Sequence, residues 1–429
     1  MTVTFIGHGY VGLVTAAVFA DFGNTVYVIG HTKEKIENLK KGIIPIYEPG
    51  LEELVKKNVD SGRLIFTLDY KPAISESDIV FIAVGTPTTK TGDADLSAVL
   101  AVAEEIGRNL EGYTVVATKS TVPAGTNKKV KRILEETKPE GTEIDYASVP
   151  EFLREGSAIS DTTNPDRVVI GAESQRARDL LVKLHEPIKA PVILTNFETA
   201  ELIKYAANAF LALKISYANS IAKLSEALGA DALKVLEGIG MDRRIGNMFL
   251  SPGPGYGGSC FPKDVKALIS IAKDNDYPFS LLEEVENING QSRRDIVRKA
   301  RKTLSDLRGK KIGILGLAFK ANTDDMRDAP AIDIINLLQN DGAKISAFDP
   351  KAMEIAAGVL KNVDYKKDAY QACDGADLVI VLTEWNEFRE LDFEKIKSEM
   401  KTPNIIDGRN LYDPEEMKAR GFTYIGVGR

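Results

Sequence analysis

Six residues into the chain, a strand-like run ending at Ile6 breaks into Gly7-His8-Gly9-Tyr10-Val11-Gly12 and passes at once into an apolar helical pattern. Few short stretches restrict a fold as tightly. Three glycines at this spacing permit a tight turn after a strand, close approach of a pyrophosphate to bare backbone, and close packing of helix against strand. Amides at the start of the following helix point toward phosphate oxygens. The segment predicts a strand–turn–helix unit for a dinucleotide, with Gly7, Gly9, Tyr10, Val11 and Gly12 at the cofactor.

The rest of residues 1–190 supports that reading by alternation. VTFIG, TVYVIG, DIVFIAVG, YTVVATKS and RVVIG read as strands separated by helical stretches, one of them from Lys33 to Lys41. Such alternation implies a parallel sheet covered on both faces by helices. An acid is expected at the end of the second strand, where it bonds the ribose hydroxyls. TVYVIGHTK instead places Gly30 there, followed by His31, Thr32 and Lys33. This removes the repulsion of a 2′-phosphate and supplies donors, so the segment admits NADP as well as NAD.

From Glu198 the texture changes. ETAELIKYAANAFLALKISYANSIAKLSEALGAD contains no Gly or Pro before Gly229 and is rich in helix formers. Helical signals continue to about Arg301. A second alternating region opens with KKIGILGLAFK and adds AKISAFDP, ADLVIVLTEW and NIIDGRN. The expected architecture is α/β: two Rossmann-like parallel-sheet domains, residues 1–197 and 302–429, joined by a central helical domain, residues 198–301, containing one long helix.

Composition narrows the function classes. A net charge of −7 argues against a general nucleic-acid binder. No apolar run reaches the roughly 18 residues of a membrane span. The start of the chain shows no basic and apolar leader pattern, and two separated cysteines make no disulfide framework, so a reducing cytoplasmic location is expected. Three His and two Cys argue against a metal site. Four Gln beside abundant Lys and Glu is a balance seen in heat-adapted proteins.

The chemistry is concentrated in GGSCFPKD. Pro262 suits a first helical turn, which puts Cys260 just before a helix, where amides and a neighbouring cation favour thiolate. Asp264 follows one turn later. Gly257, Gly258 and Ser259 are small enough to leave room for a bulky ligand. Cys373, beside a charged DGAD turn, reads as a packing residue. Lys204 and Asn208 lie four apart on one face of the long helix and could hold an alkoxide, although a solvated lysine and a capping asparagine would look the same. A nicotinamide cofactor with an activated thiol suggests alcohol oxidation to an aldehyde, its capture as a thiohemiacetal, a second hydride loss to a thioester, and hydrolysis. PEFLREG offers Glu151 and Glu155 as bases for the water, or as a surface pair.

At this point many ordered segments resemble one family. GHGYVGLV, IPIYEPGL, VGTPT with GDADLSAV, KSTVPAGT, PEFLREGSAI, NPDRVVIG, the long helix, GIGMDRRIG, GYGGSCFPKD, LAFKANTDDMRDAP and FDP are similar to motifs of the UDP-glucose/GDP-mannose dehydrogenases. The resemblance implies two hydride transfers that oxidise the C6 alcohol of UDP-glucose to the carboxylate of UDP-glucuronate. It implies Cys260 as nucleophile, Lys204 and Asn208 as stabilisers of oxygen-centred charge, Asp264 and Thr121 as orienting groups, and Glu151 as hydrolytic base. Phe152, Leu153, Glu155, Tyr256, Gly257 and Phe261 should line the sugar-nucleotide site, with Lys320 and Arg409 holding the substrate. Thr86, Pro87, Thr121, Glu155, Lys263 and Arg327 fall on the cofactor side. Arg244 resembles an arginine donated across a homodimer interface, and the long helix with its apolar excess is where such a dimer is expected.

The departure is Gly30, where family members commonly carry an acid, so NAD or NADP remains open. Three alternatives stand beside the main expectation. UDP-N-acetylmannosamine oxidation uses the same thiol chemistry but usually goes with a PER-type segment in place of PEFLREG. A 6-phosphogluconate-type dehydrogenase needs no Cys260. A catalytically silent nucleotide-sugar binder needs none of Lys204, Cys260 and Asp264.

Overall fold

The structure, a computed structural model, describes residues 1–89 and 92–429. These residues pack as two compact units. The first comprises Met1–Ala207 and Lys266–Asp276, and the second Asn208–Val265 and Tyr277–Arg429.

An eight-stranded sheet forms the centre of the first unit. Its strands are β1 (Thr2–Ile6), β2 (Thr25–Ile29), β3 (Leu64–Thr67), β4 (Ile79–Ile82), β5 (Thr114–Thr118), β6 (Ile144–Ser148), β7 (Val168–Ala172) and β8 (Val192–Thr195). They lie in the order β3-β2-β1-β4-β5-β6-β7-β8. The chain runs outward to β3 and then returns to the other side of β1. Ligands of open α/β sheets bind at such a reversal, beyond the carboxyl ends of the strands. Buried Val, Ile and Phe fill β1 and β4 because helices cover both faces. Phe5 and Phe81 stack at 4.8 Å between ring centres, with Phe19 edge-on to Phe5. Burying such side chains stabilises by roughly 2–3 kcal/mol each.

One pairing departs from the all-parallel expectation: β6 and β7 run antiparallel. The intervening chain contains only a six-residue helix, Ala158–Thr163, and otherwise forms the loop carrying Glu151. It supplies no full crossover helix of the kind that joins parallel neighbours.

The second unit holds a six-stranded, wholly parallel sheet. Its strands are β9 (Lys311–Leu315), β10 (Lys344–Phe348), β11 (Val363–Tyr365), β12 (Leu378–Val381), β13 (Asn404–Asp407) and β14 (Thr423–Ile425), ordered β11-β10-β9-β12-β13-β14. The path repeats that of β1 to β6. Cys373 is fully buried in this unit's core, and burial pushes its thiol up to about 12, as a packing role requires.

The long helix spans Phe197–Leu228 and stops before Gly229, whose φ of +70° suits a helix end. The central stretch expected at 198–301 is divided between the two units. Among the described residues, no helix is long and apolar enough to cross a membrane.

Candidate active site

The glycines after β1 have separate tasks. Gly7 has φ +118°, and a Cβ there would lie 2.3 Å from the Ala83 carbonyl oxygen. A Cβ on Gly12 would lie 2.1 Å from the Gly7 oxygen. Both positions are closed to larger residues by backbone. Gly9 differs: nothing lies within 4 Å of a Cβ built on it, so bare backbone faces open space. Helix Tyr10–Asp21 starts there without a side-chain cap, leaving its first amides for an anion. These residues fit a dinucleotide pyrophosphate. The Tyr10 hydroxyl donates to Glu48 and accepts from the Gly156 amide at 3.0 Å. Its side chain thus anchors a loop, while its backbone amide stands in the first turn of the helix.

Farther along the same edge, the Thr86 hydroxyl donates to the Thr121 carbonyl at 2.9 Å. This ties the loop after β4, with exposed Pro87, to the loop after β5. Helix Thr126–Thr137 follows, and the buried carboxylate of Glu201 holds its start. Glu201 accepts from the amides of Gly125 at 2.6 Å and Asn127 at 2.8 Å, and from the Asn127 side chain at 2.8 Å. Burial raises the Glu201 pKa, and those donors oppose the rise.

One turn beyond Glu201 on the long helix, Lys204 is buried and pairs with Glu151 at 3.2 Å. Glu151 also accepts from the Leu153 amide at 2.8 Å, which fixes its carboxylate. The Phe152 ring lies 5.3 Å from Lys204 Nζ and 3.6 Å from the Arg167 guanidinium carbon. Glu155 is buried as well, so the two glutamates do not form a surface pair. The loop owes its shape to Glu48, which accepts from the amides of Gly156 at 2.6 Å and Ala158 at 2.7 Å. Lys119 completes the cluster. It is buried, and desolvation lowers it to about 8, opposed by the charge of Glu151 and assisted by that of Lys204. A cavity of about 50 Å³ adjoins Glu151 and Phe152, and its lining includes Thr15, Lys119, Arg167 and His185.

Helix Phe261–Asp274 begins directly after Cys260; its first residues, to Val265, belong to the second unit and the rest to the first, and the Cys260 carbonyl accepts from the Asp264 amide at 2.8 Å. The thiol is therefore carried on the residue that caps the helix. Cys260 is partly exposed, with Sγ 3.5 Å from the Ser259 hydroxyl. Asp264 is wholly buried, accepting from the Asn208 amide at 2.6 Å and pairing with Lys263 at 2.5 Å. The Lys263 ammonium is thus engaged by Asp264.

The glycines before Cys260 do not open space as expected. A Cβ on Gly257 would lie 2.4 Å from the Asp328 carbonyl oxygen, and one on Gly258 would lie 2.8 Å from the Phe319 ring. They are small because other backbone and an aromatic ring pack against them. Arg293, which sequence reasoning missed, staples the same loop by donating to the carbonyls of Tyr256 at 2.8 Å and Asp328 at 3.2 Å. Tyr256 is buried with its hydroxyl on Glu286, and Phe261 meets its ring edge-on at 6.1 Å.

Among the basic residues, Arg409 donates to the carbonyls of Leu382 and Phe319, each at 2.8 Å, and pairs with Glu384. It is braced from the ends of the second sheet. Lys320 lies over the Phe319 ring. Arg327 forks onto Asp325, and Arg244 forks onto Asp242 with its side chain 88% exposed. Glu48, Lys119 and Glu201 are the further site-building residues that sequence reasoning passed over. The first two stand inside IPIYEPGL and KSTVPAGT, segments already conspicuous as motifs.

Models of the UDP-glucose/GDP-mannose dehydrogenase family match the chain in order: the NAD binding domain over residues 1–189, the central domain over 198–291 and the UDP binding domain over 313–414. The chain belongs to this family. Among curated relatives, a UDP-glucose 6-dehydrogenase of Rhizobium meliloti is 51% identical, with both chains covered over 100% of their length. Among solved structures, a UDP-glucose dehydrogenase of Pyrobaculum islandicum is similar at a TM-score of 0.93 and 40% identity, covering 99% of this chain and 97% of that one. A UDP-D-ManNAc dehydrogenase of Pyrococcus horikoshii matches at 0.88 and 29%, covering 100% and 99%. Family membership accounts for both sheets and gives the first an NAD-binding assignment.

Proposed function

We propose that the protein is a UDP-glucose 6-dehydrogenase, converting the C6 alcohol of UDP-glucose to the carboxylate of UDP-glucuronate. The observation that carries this reading is the 51% identity, over full length, to a curated enzyme of that name. Nicotinamide dinucleotides bound in succession at the Gly7–Gly12 turn would accept the two hydrides, one each.

In this reading, Lys204 and Asn208 stabilise the C6 oxygen as its proton passes to solvent and a hydride leaves the C6 carbon. Cys260 sulfur adds to the resulting aldehyde, forming a thiohemiacetal. A second hydride leaves that carbon, giving a thioester. Glu151 takes a proton from water, which attacks the thioester carbonyl, and the Cys260 thiolate departs as the acid forms. Asp264 and Thr121 orient these groups. Support within each unit comes from the fixed Glu151–Lys204 pair and from Asp264, held by Asn208 one turn behind Cys260. Phe152, Leu153, Glu155, Tyr256, Phe261, Lys320 and Arg409 are assigned to the substrate, with Arg327 on the cofactor side. Arg244, exposed on its turn, is assigned to a second subunit's site in a homodimer. A thiol that must stay reduced and a nucleotide sugar fit the reducing cytoplasm.

Incubation with UDP-glucose and a nicotinamide dinucleotide tests the reading. Two reduced cofactors per sugar and a carboxylate product are expected. One per sugar would exclude the thioester route. Turnover of UDP-N-acetylmannosamine in preference to UDP-glucose would reassign the substrate within the family.

A further inference from the structure

The acid position at the end of β2 is rebuilt rather than merely vacant. Gly30 is buried, and a Cβ there would lie 2.6 Å from Ile36 Cδ1 and 3.1 Å from His8 Nδ1. The space that an acidic side chain would take is thus occupied first by the end of the Ile36 side chain and then by the imidazole of His8, which the glycine turn itself supplies. His8 is 7% exposed, and its Nδ1 is buried without a hydrogen-bond partner. The neighbouring His31 ring lies 5.5 Å away and is exposed.

The next helix, Lys33–Lys40, begins after Thr32 with no side-chain cap, so its first-turn amides are unsatisfied. Lys33 and Lys35 are exposed in that turn. Glu34 accompanies them, while Glu37, farther along, is held by Lys40 at 2.9 Å. An imidazole, a hydroxyl, open helix amides and the exposed Lys33 and Lys35, with Glu34 between them, therefore follow the position where a carboxylate would have met a ribose. An acid there accepts from the 2′-hydroxyl and repels a 2′-phosphate; donors and cations do the reverse.

We propose that this chain selects the 2′-phosphorylated dinucleotide, NADP, through His31, Thr32, Lys33, Lys35 and the open turn at Thr32. Ile36 and His8 act as positioning residues that together exclude an acid from position 30. The inference rests on the proposal that the Gly7–Gly12 turn binds a nicotinamide dinucleotide. A dianionic phosphate engaged by two or more charge-assisted donors favours NADP by about tenfold or more.

The test is binding to the full-length protein without turnover. Fluorescence titration compares NADPH with NADH, and calorimetry compares 2′,5′-ADP with 5′-AMP. The phosphorylated member of each pair is expected to bind at least about tenfold tighter, with the gap shrinking as salt rises. Lys33→Ala with Lys35→Ala should close most of the gap while leaving NADH binding within about twofold. Gly30→Asp made together with Ile36→Val and His8→Thr should reverse the preference. NADH binding as tightly as NADPH overturns this inference alone. Failure of both dinucleotides to bind overturns it together with the reading on which it rests.

Discussion

The two sheets follow one path and end it differently. In each, a left-handed glycine follows the first strand and packs against the strand across the reversal: Gly7 against Ala83, and Gly316, at φ +94°, against Thr383. The contrast comes after the second strand. Behind β2 stands Gly30, with no carboxylate. Behind β10 stands Asp349, only 1% exposed, whose oxygens accept from the amides of Leu317, Ala318, Lys351 and Ala352 and from the Trp385 indole. The same topological position therefore closes the second sheet's loops upon themselves and leaves the first sheet's turn with unsatisfied donors. A shared scaffold does not fix what its switch point does; the residue after the second strand decides.

The largest test of this division removes the thiol. Cys260→Ser should lower formation of the carboxylate by roughly a thousandfold or more, since the alcohol cannot carry the acyl group as sulfur does. Cofactor binding at the first sheet should be unchanged in titration. Normal turnover of the variant would break the assignment of the acyl carrier to Cys260.

Next comes the acid position itself. Asp349→Ala strands several buried donors and should destabilise by about 3–5 kcal/mol in urea unfolding. Gly30→Ala meets only the flexible end of Ile36 and the His8 ring, and should cost about 1 kcal/mol. Equal losses would erase the contrast between the sheets.

His185 gives the first unit a pH dependence of its own. Burial, then the charge of Lys119, holds its imidazole down to about 4 from an ordinary 6.5. The folded protein keeps the ring neutral, so this contribution is complete above pH 6.5 and is lost as pH falls toward 4. The linkage amounts to about 3 kcal/mol. Unfolding of His185→Gln should lose that much less stability between pH 7 and 4 than the parent does.

The smallest effect concerns Lys119. With its pKa near 8, it sheds its charge beside Glu151 as pH rises through that value. A carboxylate relieved of a neighbouring cation is a stronger base, so hydrolysis should quicken a few-fold across pH 7–9. Lys119→Met should flatten that inflection, and Lys119→Arg should abolish the inflection while retaining the cation.

The fingerprint, the alternation and the long helix were legible because each depends on local sequence: three spaced glycines, short apolar runs set between helical stretches, and thirty residues without a breaker. The strands β3, β6, β8, β11 and β14 were not. They contain three to five residues each, and no neighbouring motif sets them apart. Cys260 and Asp264 stood out because a thiol beside Pro262 is chemically unusual. Gly257 and Gly258 misled because spacing cannot tell a glycine facing a ligand from one facing Asp328 or Phe319. The burial of Lys119 and the anchoring by Glu48 come from contacts distant in sequence, which no local window contains.

The hold of Glu201 on residues 125–127 sets limits on how this chain can drift or be engineered. Glu201 and Lys204 lie one turn apart on a single rigid helix, so a graft of residues 119–127 from a relative lacking the matching acid would shift the seat of the lysine. The two segments form one unit of inheritance, and a library that varies either alone will return mostly inactive chains.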